Sequence, residues 1–101
     1  MKILLTGKNG QVGSEIIKLL TNFSNVLSVG RKDCDLTNQE AIKKLVKNFK
    51  PDIIVNTAAY TAVDDAEDKK LLAKLTNEIA PKILAEEAEK IGCLIIHFSS
   101  D

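Results

Sequence analysis

A doubly wound α/β fold, with a parallel sheet in strand order 2-1-3-4, follows from three features of this sequence. Short apolar runs alternate with helix-period segments throughout the 101 residues, the pattern of strands joined by crossover helices. The runs Ile53-Ile54-Val55 and Leu94-Ile95-Ile96 are continuous rather than alternating, as strands covered on both faces require. Finally, the loop Gly7-Lys8-Asn9-Gly10-Gln11-Val12-Gly13 stands between the first apolar run and the first helical segment.

The elements follow in order. Lys2 to Thr6 reads as the first strand, and a helix follows from about Gln11 to Asn22. That helix places Val12, Ile16, Leu19, Leu20 and Phe23 at helical spacing. Asn25 to Val29 is the second strand, ended by the turn Gly30-Arg31-Lys32-Asp33. Thr37-Asn38-Gln39-Glu40 has the form of a capping box with Thr37 as the cap. The helix it starts buries Ile42, Leu45, Val46 and Phe49 and stops before Pro51. Asp52 to Asn56 is the third strand. A helical stretch runs from about Lys70 to Lys90, interrupted by Pro81, with Gly92 as its stop. Leu94 to Ile96 is the fourth strand. Right-handed crossovers with one reversal after the second strand give the order 2-1-3-4, with the ligand crevice between strands one and three.

Composition narrows the function. Lys plus Arg and Asp plus Glu balance at 14 each, which leaves no electrostatic case for nucleic acid or an anionic membrane surface. No apolar run approaches the roughly 20 residues of a membrane span, and the N-terminus lacks the form of a signal peptide. Cys34 and Cys93 have no metal-ligand spacing and read as reduced thiols of a cytoplasmic protein. The chain is expected to form one domain over residues 1–101.

The glycine loop carries the chemistry. A parallel strand delivers its carboxyl end into the loop, and the next helix points free N–H groups and its positive dipole end at the same place. Glycines there serve a tight turn, close approach of a pyrophosphate and close helix-to-strand packing. A dinucleotide site is the expectation, with a structural turn as the plainer reading. A Rossmann-type site for NAD ends its second strand in an acid that holds the ribose. Gly30-Arg31-Lys32 occupies that corner here, which favours the 2′-phosphate of NADPH. NADH stays open, since Asp33 or Asp35 would still reach the ribose.

Three stretches together resemble one family. They are Thr6-Gly7-x-x-Gly10-x-x-Gly13, then Asn56-Thr57-Ala58-Ala59-Tyr60-Thr61-Ala62-Val63-Asp64-x-Ala66-Glu67, and Ser99-Ser100-Asp101. In this order they are similar to the dTDP-4-dehydrorhamnose reductases, extended short-chain dehydrogenases, over the N-terminal part of their Rossmann-like domain. The resemblance implies hydride transfer from NAD(P)H to the 4-keto group of a dTDP-linked deoxysugar. It implies that Gly7, Gly10, Gln11, Val12 and Gly13 form the pyrophosphate loop, and that Asp35 and Leu36 touch the adenine. Ala58, Ala59, Tyr60 and Thr61 would line the cofactor. Ser100 matches the hydroxyl of the family's Ser/Thr–Tyr–Lys catalytic set, and Ser100 and Asp101 stand at the substrate edge.

Reduction puts negative charge on the ketone oxygen, so such a site needs a proton donor and fixed donors aimed at that oxygen. The family's donor is the tyrosine of a Tyr-x-x-x-Lys pair. Tyr60 does not fit it, because Asp64 and not a lysine follows at the fourth position. This chain on its own is therefore expected to bind NADPH without turning over. Two other functions share the visible motifs: a nucleotide-sugar epimerase or dehydratase, and a non-catalytic NADP-binding subunit like that of methionine adenosyltransferase.

Other residues have plainer readings. Asp64, Asp65, Glu67 and Asp68 begin a helix and offset its dipole. Glu15 matches a position that some members use for Mg2+, but without partner acids it reads as an exposed helical acid, and no metal ligands are assigned. His97 is expected to pack with a ring nitrogen satisfied by backbone. Asn77, to whose carbonyl Pro81 cannot donate, is a candidate holder of a relay water. The fourth strand is expected to be an unblocked edge, favouring a homodimer or larger species that Ile95→Lys reduces.

Overall fold

The computed structural model describes residues 1–23, 25–58 and 67–98. Its four strands are β1 (Lys2–Thr6), β2 (Asn25–Val29), β3 (Ile53–Asn56) and β4 (Leu94–His97). They form one parallel sheet in the order β2-β1-β3-β4. Register aligns Thr6 with Val29 on one side and Asn56 on the other, and Asn56 with His97. The strands therefore end together, and their carboxyl ends form one rim.

The helices are α1 (Gln11–Leu19), α2 (Gln39–Phe49), α3 (Glu67–Lys74) and α4 (Ala80–Lys90). Continuous apolar strands feed both faces of the sheet. Leu4 and Ile54 point to α2 and α4, joining Ile42, Val46, Leu84 and Ala88 in the larger core. Ile3, Leu5 and Val55 point the other way, where Ile16, Ile17 and Leu20 pack on them. Burying such aliphatic side chains contributes roughly 1.5–3 kcal/mol each. The spacing on α1 misjudged its face: Val12, Leu19 and Phe23 are exposed, and the helix ends at Leu19 rather than Asn22.

Two local differences have clear causes. Asn38, not Thr37, caps α2, its Oδ1 accepting from the Ala41 N–H at 3.2 Å. Asp35 has already captured Thr37, accepting from its hydroxyl at 2.6 Å and its N–H at 3.0 Å. The stretch before Pro81 is not a continuous α-helix. Leu75–Ile79 forms a π turn, in which the Ala80 N–H donates to the Leu75 carbonyl. Pro81 then stands in the first turn of α4, where its missing N–H costs little. Among the described residues no helix is long and apolar enough to cross a membrane.

Candidate functional site

At the rim, an open groove of about 1070 Å³ lies over β1 between the β2 turn and the residues after β3. Its floor is the glycine loop. Gly7 adopts φ +83°, a left-handed value that makes the turn out of β1. Gly10 is the exposed N-cap of α1 with φ −79°, and a β-carbon there would meet only the Gly7 carbonyl, at 3.4 Å. Gly13 is buried and does not line the groove; a β-carbon there would stand 2.0 Å from the Gly7 oxygen. The three glycines thus divide the work as turn, open approach and close packing. The first N–H groups of α1 have no helical partner, and no acidic side chain occupies its first turn. An anion at this end meets a favourable field.

Thr57, which follows β3, braces the loop. Its hydroxyl donates to the Thr6 carbonyl at 2.7 Å and lies 3.3 Å from that of Gly7. The buried Asn56 accepts from the Thr6 hydroxyl and, at 3.3 Å, from the Ala58 N–H. Its Nδ2 faces His97 Nδ1 at 2.8 Å. His97 is thus exposed and held by a side-chain amide, not packed against a backbone group as its alternation with Ile96 and Phe98 predicted.

Of the cofactor residues expected from the sequence, Gly7, Gly10, Gln11, Val12, Arg31, Asp35, Leu36 and Ala58 line the groove. Ala59, Tyr60, Thr61, Ser100 and Asp101 lie outside the described residues, as do Asp64 and Asp65. The sequence reading placed Lys32 at the same corner, and it lines the groove too; Asn9, Thr37 and Thr57, with Leu72 and Thr76 from the helical stretch after β3, are lining residues it missed. Thr76 belongs to the π turn; Pro81 marks the disturbed helix around it but pointed to Asn77 instead. Asn77 is exposed beside it and does not line the groove.

Charges at the β2 end are held in place. Asp33 is kept below the usual carboxylate range by the Gly30 N–H and the Lys8 ammonium. Asp35 is lowered by its two bonds from Thr37, with Arg31 adding to the effect. Burial pushes the Cys34 thiol up, and Asp35 and Asp33 push it further, so it stays protonated at neutral pH and is no nucleophile. Glu15 meets Lys18 at 3.3 Å. Among the described residues no three metal-ligating side chains gather.

Comparison with known proteins adds the relationship. A family model described as the RmlD substrate binding domain matches residues 1–101. The dTDP-4-dehydrorhamnose reductase of Burkholderia thailandensis is 44% identical over 101 residues, covering 100% of this chain and 34% of the relative. That of Escherichia coli K12 is 39% identical over 105 positions, covering 100% and 35%. A crystal structure of a dTDP-4-dehydrorhamnose reductase from Clostridium acetobutylicum matches with TM-score 0.84 at 44% identity, over 94% of this chain and 34% of that one. One from Bacillus anthracis, in complex with NADP, matches with TM-score 0.80 at 32% identity, over 94% and 35%. The chain therefore spans about a third of the length of the relatives it matches. Since the family model matches from the first residue to the last, the chain belongs to the RmlD substrate binding domain family.

Proposed function

We propose that residues 1–101 form the NAD(P)-binding domain part of a dTDP-4-dehydrorhamnose reductase. The reaction is reduction of the 4-keto group of dTDP-4-dehydro-L-rhamnose in the making of dTDP-L-rhamnose. The observation that carries this reading is the glycine cradle: a loop that has no room for side chains at Gly7 or, beneath the groove, at Gly13, leaves Gly10 open to the groove, and ends on the N-terminus of α1. The cradle fits a pyrophosphate, and the NADP complex of the Bacillus anthracis relative supports that choice of ligand.

In this reading Gly10, Gln11 and Val12 contact the pyrophosphate: the N–H groups of Gln11 and Val12 hold it, while Gly10, whose own N–H donates to the Gly7 carbonyl at 3.1 Å, leaves it room. Arg31 stands at the 2′-phosphate end, favouring NADPH over NADH, and Asp35 and Leu36 flank the adenine. Ala58 lines the cofactor, a role that the family resemblance also assigns to Ala59, Tyr60 and Thr61. NADPH, when bound, supplies the hydride. Ser100 orients the ketone oxygen with its hydroxyl, and Asp101 stands at the substrate edge. The proton donor is the tyrosine of a Tyr-x-x-x-Lys pair, which these 101 residues do not contain. Both NADPH and nucleotide-linked sugars are cytoplasmic metabolites, so the reaction belongs in the cytoplasm.

The test is a chimera in which this chain replaces the matching N-terminal segment of the Burkholderia thailandensis reductase. It should oxidise NADPH only when dTDP-4-dehydro-L-rhamnose is added. A folded chimera that binds NADPH and shows no turnover contradicts the proposal.

A further inference from the structure

The carboxyl end of β2 carries an ion pair that joins it to the glycine loop, Lys8 with Asp33. Beyond Val29 the chain turns at once, the N–H groups of Asp33 and Cys34 donating to the Gly30 carbonyl at 3.1 and 3.0 Å. The turn folds the Asp33 side chain back so that its Oδ2 accepts from the Gly30 N–H at 2.8 Å. The same oxygen meets Lys8 Nζ, from the glycine loop, at 3.0 Å. Gly30 makes room for this crossing: a β-carbon there would lie 2.7 Å from the Asn9 amide nitrogen and 3.4 Å from Lys8 Cε. An acid thus does stand at the end of the second strand, brought back by a turn and covered by a cation. Gly30, Arg31 and Asn9 line the groove; Lys8 and Asp33 do not, but Asp33 is bonded directly to the Gly30 N–H and Lys8 precedes Asn9 in the chain.

We propose that the Lys8–Asp33 pair sets the preference between NADPH and NADH, through the net charge it leaves at the ribose corner. This rests on the dinucleotide reading above. The two cofactors differ by one phosphate at the adenosine ribose, worth about −1.5 to −2 charge at neutral pH. As a pair, Lys8 and Asp33 cancel, leaving Arg31 and Lys32 as excess positive charge against Asp35 at this corner. Without Lys8, the Asp33 carboxylate repels the 2′-phosphate. Without the Asp33 charge, the Lys8 ammonium attracts it. The side chains are 35% and 47% exposed, so solvent screens both effects and each shifts the preference only about three- to tenfold.

The pair also ties the glycine loop to the β2 turn, and the experiment must separate tether from charge. NADPH and NADH are each titrated calorimetrically into the unaltered protein, Lys8→Met and Asp33→Asn, at low and high salt. The affinity ratio of NADPH to NADH should fall about three- to tenfold in Lys8→Met and rise by a similar factor in Asp33→Asn. Both shifts should shrink in high salt. A reciprocal variant, Lys8→Asp with Asp33→Lys, keeps the pair neutral and should return the ratio to near its original value. Shifts of the same sign, or equal losses for both cofactors, overturn the proposal and leave the dinucleotide reading standing. If the unaltered protein binds neither cofactor, the dinucleotide reading itself fails.

Discussion

Gly10 and Gly13 are three positions apart in one loop, yet they answer to different constraints. At Gly13 a β-carbon would press into the Gly7 carbonyl at 2.0 Å, a backbone group that no rotamer change can move aside. Gly13→Ala should therefore destabilise the fold by about 3 kcal/mol or more, seen as a large drop in thermal midpoint. At Gly10 the backbone is ordinary and the space is open, so Gly10→Val should fold normally and lose NADPH affinity by about a hundredfold, because the side chain fills the pyrophosphate's place. Circular dichroism and calorimetric titration on both variants separate the two. Unchanged affinity in a folded Gly10→Val protein would remove Gly10 from the site. At this scale the glycines were legible, because each job depends only on backbone geometry. Thr57 was not: its hydroxyl acts on a loop about fifty residues earlier in the chain, and a threonine after a strand carries no local sign of that.

Among the elements, α4 holds the clearest pH dependence. Glu87 is buried on its packed face and accepts from Lys90 at 2.8 Å, one turn on. That bond, with Lys47 and Lys43 of α2 facing it, holds the Glu87 carboxyl below its ordinary 4.5 against the opposing effect of burial. A lowered carboxylate stabilises the fold fully above its unfolded value, and the contribution is lost as pH falls through the folded one. Lys90, raised in turn, loses its share only as pH rises above about 10.5. Glu87→Gln should therefore cost stability at pH 6, and the gap in thermal midpoint should narrow steadily as pH is taken below 4.5. A gap that is constant across that range would show the ion pair to be irrelevant. Strands and their order were readable because an apolar run and a short crossover leave few arrangements. The π turn was not, because Pro81 acts on the backbone upstream of itself. The sequence marks where a helix is disturbed, and packing decides how it is relieved. The cap of α2 slid by one residue for a similar reason, since Asp35 competes for Thr37.

Across the whole molecule the two sheet faces are unequally covered. α2 and α4 close one face from β2 to β4, and Ile95 packs into that core. On the other face α1 reaches the residues of β1 and β3, and β4 keeps Leu94 at 60% and Ile96 at 42% exposure. An apolar edge of this kind favours pairing with a second copy. Light scattering at tens of micromolar should find dimers or larger species, which Ile96→Lys reduces. Ile95→Lys, the substitution that the sequence pattern suggested, would bury a charge in the core and unfold the protein instead. A stable monomer unaffected by Ile96→Lys would refute association through this edge.

The central claim is that the glycine cradle and the β2 turn form one dinucleotide site. The most direct measurement is an amide chemical-shift map of the 15N-labelled protein titrated with NADPH. Saturable shifts are expected at Gly7 to Gly13, at Gly30 to Thr37 and at Thr76, with Leu94 and Ile96 unmoved. Saturable shifts that leave Gly10, Gln11 and Val12 untouched, or no shifts at saturating NADPH, would contradict that claim.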